Sequence, residues 1–188
     1  GSGKGAAAAA IGRSGFIPYD RTKKKFKESF TEAFVSINMS SYPENLIESE
    51  LFGHKKGAFT GAMDNHDGIF ARCSPHGAIF IDEVGDVDLP VQVKLLSVIQ
   101  EREFSPVGSH DRKRFMGRVI AATNKDVDEL RENGEFRDDF YYRLCSDVIV
   151  MPPLRQRLSE DPSELDILLG TVISRTVGRE SEELVQEV

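Results

Sequence analysis

The chain has 188 residues, and its 31 acidic side chains outnumber its 24 lysines and arginines, which gives a formal net charge of −7. Hydrophobic residues make up 39% of the sequence, enough to bury one core, so the composition argues against a disordered polyanion. The negative balance argues against a domain that holds nucleic acid by bulk charge alone. Because no apolar run approaches the length that spans a bilayer, we expect a cytoplasmic protein with no membrane partner.

The chain begins with a glycine-rich segment that predicts a phosphate-binding site. Gly1-Ser2-Gly3-Lys4 matches the end of the motif G-x-x-x-x-G-K-[ST], whose backbone N–H groups and lysine hold phosphates. The alanine run at 6–10 favours a helix whose N-terminus would face those phosphates. Gly5 stands where the motif has a hydroxyl, so this segment is weak evidence by itself.

The remaining elements alternate between strand and helix patterns. Basic residues dominate 13–31, which we predict to be a solvated helix and loop. Continuous apolar runs predict strands, and apolar residues at helical spacing predict helices. The predicted strands are 33–38, 78–81, 118–123 and 148–150, and the predicted helices are 43–52, 90–99 and 165–177. This alternation predicts an α/β fold with a central, mostly parallel sheet flanked by helices.

Two carboxylates follow the most apolar of these strands. Asp82 and Glu83 come directly after 78–81, and ligands of open α/β sheets bind outside the carboxyl ends of the strands. A phosphate-bound Mg²⁺ takes one or two carboxylate oxygens and an attacking water needs a base, which suits Asp82 for the metal and Glu83 for the water. An isolated Asp-Glu pair fits a cap or a surface position equally well. Combined with Lys4, the pair predicts nucleotide hydrolysis.

Polar residues after the next strand are weaker candidates. Asn124 could orient the attacking water or contact the γ-phosphate, and a cap before Asp126 is the alternative.

Arg137 and Arg143 lie in one predicted helical stretch among aromatic residues. Their guanidinium groups could neutralise charge on a transferred phosphoryl group, or pair at the surface with the acidic residues 138–139.

The segment Gly57-Ala58-Phe59-Thr60-Gly61-Ala62 fits neither a strand nor a helix. Its glycines permit a positive φ and a close approach, which predicts a mobile loop that presents Phe59 and Thr60. The alternative is that Phe59 fills the core, where most phenylalanines are found.

The segment 48–62, ESELFGHKKGAFTGA, resembles the signature of the AAA+ domain of bacterial enhancer-binding proteins. These proteins activate RNA polymerase that carries sigma-54, and many are response regulators. The likeness covers roughly residues 33–158, and the six-residue loop is close to diagnostic. It continues through IDEVGD at 81–86, QVKLL at 92–96, QEREF at 100–104, AATN at 121–124, FRDD at 136–139 and PPLRQR at 152–157.

The resemblance implies a nucleotide site that binds ATP and Mg²⁺. Gly1-Ser2-Gly3-Lys4-Gly5 would form the end of the phosphate loop, with Lys4 as its lysine. Asp82 would hold Mg²⁺, Glu83 would act on the attacking water, and Asn124 would be the sensor at the γ-phosphate. The family often has an acidic residue at the position of Gly5, so the missing hydroxyl matters less than the motif alone suggests.

The resemblance also implies how hydrolysis produces an output. Arg137 and Arg143 match arginine fingers that reach into the neighbouring subunit's site. Asn38 matches the asparagine that holds the catalytic glutamate and links the nucleotide state to the loop. Gly57, Ala58, Phe59, Thr60, Gly61 and Ala62 would form the loop that contacts sigma-54.

The implied protein is a P-loop NTPase of the AAA+ class that remodels closed complexes of sigma-54 RNA polymerase. It would act as a hexameric or heptameric ring, and it would contact DNA only through a helix-turn-helix domain outside this chain. We expect a nucleotide-binding subdomain over 1–158 and the start of a helical lid or tail over 159–188, with most of the lid absent. A non-hydrolysing module that binds sigma-54 or a regulatory partner is the alternative.

Several positions depart from the family pattern. Met39-Ser40-Ser41 stands where Cys-Ala-Ala is more usual, next to Asn38. The segment 74–77 replaces a more glycine-rich approach to its strand, and the basic linker that ends at Thr31 is longer than usual. The departures near Gly5 and Met39 are what support the non-hydrolysing alternative.

Overall fold

The computed structural model describes residues 3–177, and this part of the chain forms two compact units. The larger unit is Gly5–Val148, and the smaller unit contains, among the described residues, 3–4 and 149–177. The predicted boundary at residue 158 stays a prediction. No helix in the described part of the chain is long and apolar enough to cross a membrane.

Seven short strands and eight helices, together with two 3-10 turns, are defined over residues 3–177. The strands are β1 Tyr19–Asp20, β2 Lys25–Phe26, β3 Phe34–Asn38, β4 Ala78–Asp82, β5 Glu103–Phe104, β6 Lys113–Arg114 and β7 Arg118–Ala121. The helices are α1 Lys4–Arg13, α2 Glu44–Phe52, α3 Ile69–Arg72, α4 Leu89–Glu101, α5 Val127–Glu132, α6 Asp138–Leu144, α7 Leu154–Glu160 and α8 Glu164–Val177. The 3-10 turns are Met39–Ser41 and Val84–Asp86.

A three-stranded parallel sheet lies at the centre of the larger unit. Its order is β3-β4-β7, so β4 pairs with a strand on each side. The first four residues of β4 are buried, which explains the continuous apolar run that predicted this strand. The predictions of strands at 33–38, 78–81 and 118–123 are confirmed, although β7 ends at Ala121.

The helices of the larger unit bury their apolar faces in one core with this sheet. α4 begins after an Asp88 cap whose carboxylate accepts the N–H of Val91, and Pro90 occupies the first turn, where its missing N–H costs nothing. Leu95 and Val98 of α4 are fully buried, and α4 packs against α6. The predicted helices at 43–52 and 90–99 are confirmed as α2 and α4, and the predicted helix at 165–177 as α8.

Two secondary-structure predictions are wrong. The segment 148–150 forms no strand, because it pairs with no strand in the described chain and its side chains are exposed, Val150 by 84%. The basic segment 13–31 is not a helix and loop beyond the end of α1, because β1 and β2 pair within it as an antiparallel hairpin. Two-residue strands carry too little periodicity to be recognised in a sequence.

Candidate functional site

The carboxyl ends of the central strands bring the predicted site residues together. Asn38, the last residue of β3, is the direct partner of Asp82, the last residue of β4. β7 continues the ladder beyond its end, because the N–H of Ala122 donates to the carbonyl of Ile81 at 2.9 Å. Asn38 and Asp82 therefore lie side by side at the edge where open α/β sheets bind ligands.

Glu83 has an unusual backbone conformation at this edge. Its φ of 55° and ψ of 46° lie in the left-handed region, which costs a non-glycine residue about 1–2 kcal/mol. Its N–H donates to Asp82 Oδ1 at 3.1 Å, and its Oε2 accepts the backbone N–H of Asn124 at 3.0 Å. The structure thus brings Glu83 and Asn124 into contact through the main chain of Asn124, while the role of the Asn124 amide stays a prediction.

Asn38 orders the turn that follows β3. Its Oδ1 accepts the N–H of Ser40 at 3.0 Å, which caps the 3-10 turn Met39–Ser41. The function that the resemblance implies for Asn38, holding the catalytic glutamate, stays a prediction.

A set of contacts that the sequence did not predict joins all three strand ends, and we call it the strand-end clamp, formed by Ser40, Asp86 and Lys125. Ser40 Oγ donates to Asp86 Oδ2 at 2.5 Å, and Lys125 Nζ lies 2.6 Å from Asp86 Oδ1. Lys125 Nζ also donates to the carbonyl of Gly85 at 3.3 Å. Ser40 follows β3, Asp86 follows β4 and Lys125 follows β7. The clamp therefore connects the turn after β4, which begins at Glu83, to the segments that follow the two neighbouring strands.

The contacts of the clamp shift the pKa values of Asp86 and Lys125. Hydrogen bonds from Lys125 and then Ser40 hold the pKa of Asp86 below its ordinary value. The same bond to Asp86 raises the pKa of Lys125. Both side chains are partly exposed, so solvent screens the pair and its contribution to stability is about 0–1 kcal/mol.

Removing the negative charge of Asp86 should therefore lower the free energy of unfolding slightly, by an amount that depends on pH. Because the pKa of Asp86 is lower in the folded chain, its contribution is complete above pH 3.8 and disappears as the pH falls through the folded value. Asp86→Asn should lower Tm by about 2–4 °C at most near neutral pH. Calorimetry at neutral pH and at successively lower pH measures this difference between the variant and the wild type.

The matched control for this experiment is Ser41→Ala, in the same 3-10 turn but with an exposed side chain. The control should leave Tm unchanged at every pH. A Tm difference for Asp86→Asn that grows as the pH falls below the ordinary carboxyl range would contradict the clamp.

The start of α1 carries the predicted phosphate-loop residues. Gly1 and Ser2 lie outside the described residues. Gly3 has φ +87°, a conformation that side chains rarely adopt, and Lys4 is the first residue of α1. No acidic side chain lies in the first turn of this ten-residue helix, so the positive end of its dipole suits an anion. Gly5 follows Lys4 within the helix.

The two predicted arginine fingers differ in their surroundings. The Arg137 guanidinium donates to both carboxylate oxygens of Asp139, at 2.9 and 2.7 Å, and this pairing holds the pKa of Asp139 below its usual value. Arg143 lies in the last turn of α6, is exposed and forms no ion pair with any residue in the described range. Arg143 is thus the guanidinium that is open to a second molecule.

Gln92 fixes the start of α6, the helix that Arg137 precedes and that contains Arg143. It is fully buried, and its Nε2 donates to the carbonyls of Val87 and Glu135, each at 2.8 Å. Its Oε1 accepts the backbone N–H of Arg137, the residue before α6, at 2.9 Å. Every polar atom of this buried amide group has a partner, which fixes the start of α6 against α4. Its place in the sequence, within an apolar helix, gave no hint of this.

The loop 57–62 projects from the larger unit as a closed turn. The N–H of Gly57 donates to the carbonyl of Ala62 at 2.8 Å, and Gly57 and Gly61 have φ of +80° and +101°. A Cβ at either glycine would meet nothing within 4 Å. Glycine is therefore favoured at these two positions because of the positive φ and not because a side chain would clash. The predicted loop is confirmed as non-helical and non-strand.

Phe59 neither fills the core nor lies fully in solvent. Its ring is 37% exposed and packs edge-on against the ring of His54, with centroids 4.9 Å apart. His54 Nδ1 shares a 2.6 Å hydrogen bond with Ser49 Oγ of α2, and His54 and His66 exchange backbone N–H···O bonds of 2.9 Å. His54, which sequence reasoning did not identify, is therefore the contact between the loop tip and the folded core.

A comparison with known families decides the identity of this arrangement. The profile of the family described as the Sigma-54 interaction domain matches residues 1–150. The chain belongs to this family. The matched range contains the strand ends, the loop 57–62 and both predicted arginine fingers, so the geometry above is that of a sigma-54 interaction domain.

The relatives of this sigma-54 interaction domain are transcriptional regulators. The chain is 47% identical over 146 residues to the Nif-specific regulatory protein of Azotobacter vinelandii, across 78% of the chain and 28% of that protein. It is 53% identical over 125 residues to the hydrogenase transcriptional regulatory protein HoxA of Cupriavidus necator, across 66% of the chain and 26% of the relative. The chain thus spans little more than a quarter of the length of these proteins.

Solved structures confirm the fold class of the domain. NtrX from Brucella abortus, crystallised in complex with ADP, matches with a TM-score of 0.74 and 25% identity, over 95% of this chain and 35% of that one. The sigma-54 interaction domain described here is therefore an α/β domain of the AAA+ P-loop class, with a parallel sheet between helices.

The residues of the domain fit the groups that this class binds. Asp82 offers hard carboxylate oxygens at the end of a buried strand, which are the ligands that Mg²⁺ prefers. The glycine at position 3, the lysine after it and the N-terminus of α1 suit a polyphosphate. Each of these two groups of residues, taken by itself, has the chemistry that its predicted ligand requires.

Proposed function

We propose that this domain hydrolyses ATP to remodel closed complexes of sigma-54 RNA polymerase and so activates transcription at sigma-54 promoters. The observation that carries the proposal is the sheet edge, where Asn38 and Asp82 are direct partners and Glu83 accepts the N–H of Asn124. The family supports the partner, and the ADP complex of NtrX supports the nucleotide.

Each residue at the sheet edge has one part in hydrolysis. Asp82 would hold Mg²⁺, which when bound neutralises negative charge on the phosphates. Glu83 accepts a proton from the attacking water, and the N–H of Asn124 fixes the direction of the Glu83 carboxylate. The side chain of Asn124 contacts the γ-phosphate, and Lys4 with the phosphate-loop glycines holds the remaining phosphates.

The site is completed by a neighbouring subunit. Arg143 is exposed and has no ionic partner in the described part of this chain, as a group that acts on a second molecule requires. Arg137 is engaged with Asp139 and would have to exchange that partner for a phosphate. Such trans action calls for a closed ring, for which we propose a hexamer or heptamer.

The loop 57–62 delivers the output to sigma-54. Its tip carries Phe59 and Thr60, and the loop belongs to the connection between α2 and α3, not to the strand ends that would carry out hydrolysis. In this structure Phe59 rests on His54, so contact with sigma-54 through its ring requires Phe59 to leave that imidazole. Asn38, between the sheet edge and the turn Met39–Ser41, is the proposed link between the nucleotide state and the loop.

Substitutions in the loop should separate hydrolysis from output. Thr60→Ala and Phe59→Ala should leave the ATPase rate of the full-length protein within a few fold. Capture of sigma-54 in the presence of a transition-state mimic of ATP should be lost, because Phe59→Ala removes most of the tip's apolar area at roughly 25 cal/mol per Å². Both quantities are measured on the same preparation.

Met63→Ala is the matched control, since Met63 is 75% exposed and follows the loop directly. This variant should keep both hydrolysis and capture. If Thr60→Ala abolishes hydrolysis and leaves capture intact, the loop belongs to the nucleotide site and the proposed division is wrong.

A further inference from the structure

The basic segment after α1 contains a structured hairpin with an aromatic face. We call residues 16–30 the basic hairpin. β1 and β2 pair so that Tyr19 lies directly opposite Phe26, which places both rings on one face. Their centroids are 5.4 Å apart, and the ring of Phe30 lies 5.1 Å from that of Phe26.

This aromatic cluster is open to solvent. Tyr19 is 51% exposed, Phe26 48% and Phe30 38%, and Phe16, just before the hairpin strands, is 81% exposed. Aromatic residues that pack on one another without a covering element form the kind of apolar patch that marks an interaction site.

The cations of the basic hairpin have no ionic partners in the described chain. Five of the seven residues at 21–27 are basic and none is acidic, although the whole chain carries a net charge of −7. The neighbouring acids are already engaged: Asp20 Oδ1 accepts the N–H groups of Thr22 and Lys23 at 2.9 and 3.0 Å, and Glu28 accepts a hydrogen bond from Ser74. The hairpin therefore concentrates positive charge that the rest of the larger unit does not neutralise.

The cations and the rings adjoin one another. A hollow of about 340 Å³ is lined by Asp20, Lys23, Lys25, Phe26 and Lys27. A second hollow runs along 25–32 and includes the rings of Phe26 and Phe30. Phe26 thus borders both a lysine-lined hollow and the aromatic cluster.

We propose that the basic hairpin binds single-stranded nucleic acid. Lys23, Lys25 and Lys27 bind the phosphates, while unpaired bases stack on Phe26 and its aromatic neighbours. Single strands offer both groups at once, and every base has a face that can stack on an aromatic ring, so little sequence preference is expected. A duplex would engage the lysines but offer the rings no unpaired base to stack on. An anionic membrane would bury the rings without stacking them, and the vesicle arm of the test distinguishes that occupant. This site does not depend on ATP hydrolysis.

The test measures binding of fluorescent oligonucleotides to the 188-residue chain by anisotropy. The probes are oligothymidine and oligouridine of about 16 nucleotides, which is the upper end of the site size of an OB fold, and a duplex of the same length. Vesicles containing phosphatidylserine form a further arm. One or both single strands should bind about tenfold or more tightly than the duplex, and log K should fall with log salt by about 0.7 per phosphate contacted.

Two kinds of variant separate stacking from charge. Phe26→Leu keeps apolar bulk in the hairpin but removes the π face, and it should weaken binding to the single strand about tenfold while leaving the salt slope unchanged. The triple change Lys23→Gln, Lys25→Gln, Lys27→Gln should weaken binding and reduce the magnitude of the slope by about 2. The charge-matched control, Lys56→Gln with Arg112→Gln and Arg114→Gln, changes exposed cations elsewhere and should have little effect.

Three results would overturn the proposal. Equal affinity for duplex and single strand with no loss in Phe26→Leu would reduce the site to a charged surface. Binding to vesicles without binding to either oligonucleotide would make it a membrane contact. A control triple as weak as the hairpin triple would show that the location of the charge is irrelevant.

Discussion

Mixing subunits that carry Arg143→Ala with subunits that carry Glu83→Gln should restore ATP hydrolysis that neither variant shows by itself. Each single variant lacks one half of the site. Where a Glu83→Gln subunit, which keeps Arg143, adjoins an Arg143→Ala subunit, which keeps Glu83, the interface has both halves. Arginine fingers contribute about 10³ to 10⁵ in rate, so the rescued activity should stand well above the background. The measurement is the ATPase rate of full-length proteins mixed at a series of ratios.

The two predicted fingers give this experiment an internal comparison. Arg143 is exposed without an ionic partner in the described chain, whereas Arg137 is held by both oxygens of Asp139. Asp139→Asn should therefore change hydrolysis if Arg137 must be released, and it should leave the Arg143 rescue in place. Arg114→Ala, at an exposed arginine of β6, is the neutral control. A mixture that never exceeds the sum of its components would exclude action in trans.

Glu83→Gln should reduce ATP turnover by about 10²-fold or more while ATP still binds. The amide oxygen of glutamine can still accept the N–H of Asn124, so the 3.0 Å contact survives and only the proton acceptor is lost. Steady-state hydrolysis and binding of a fluorescent ATP analogue on the same full-length variant distinguish the two effects.

The control for this variant is Glu132→Gln, which makes the same change at an exposed residue at the end of α5. Its turnover should equal that of the wild type. Turnover near the wild-type rate in Glu83→Gln would remove Glu83 from the reaction. It would leave the non-hydrolysing interaction module as the better account of the domain.

The central sheet and its site could be predicted because they depend on local sequence. A strand buried on both faces is a continuous apolar run, and the polar residue that ends it marks the edge of the sheet, as at 78–82. The direct pairing of Asn38 with Asp82 follows from β3 and β4 lying parallel, with the last residue of each strand at the same edge. The same logic failed at 148–150, where an apolar run pairs with no described strand, since sequence composition does not reveal whether a neighbour is present.

The strand-end clamp and the His54 contact could not be predicted because they join residues that are remote in the chain or uninformative in type. Ser40 and Asp86 are separated by 46 positions, and neither lies in a pattern that specifies a partner. In the sequence His54 is only one residue of the family signature, and nothing there indicates that its ring packs against Phe59. The basic hairpin was missed for another reason: its lysines suggested solvent, and its aromatic pairing emerges only in the folded register.

Open-complex formation by purified sigma-54 RNA polymerase tests the central claim most directly. The full-length protein that carries this domain is added to closed complexes at a sigma-54 promoter, with ATP or with a non-hydrolysable analogue, and strand opening is followed by permanganate reactivity. We expect opening with ATP and the wild-type protein, and none with the analogue or with Glu83→Gln. Equal opening with the analogue, or by the Glu83→Gln protein, would contradict it.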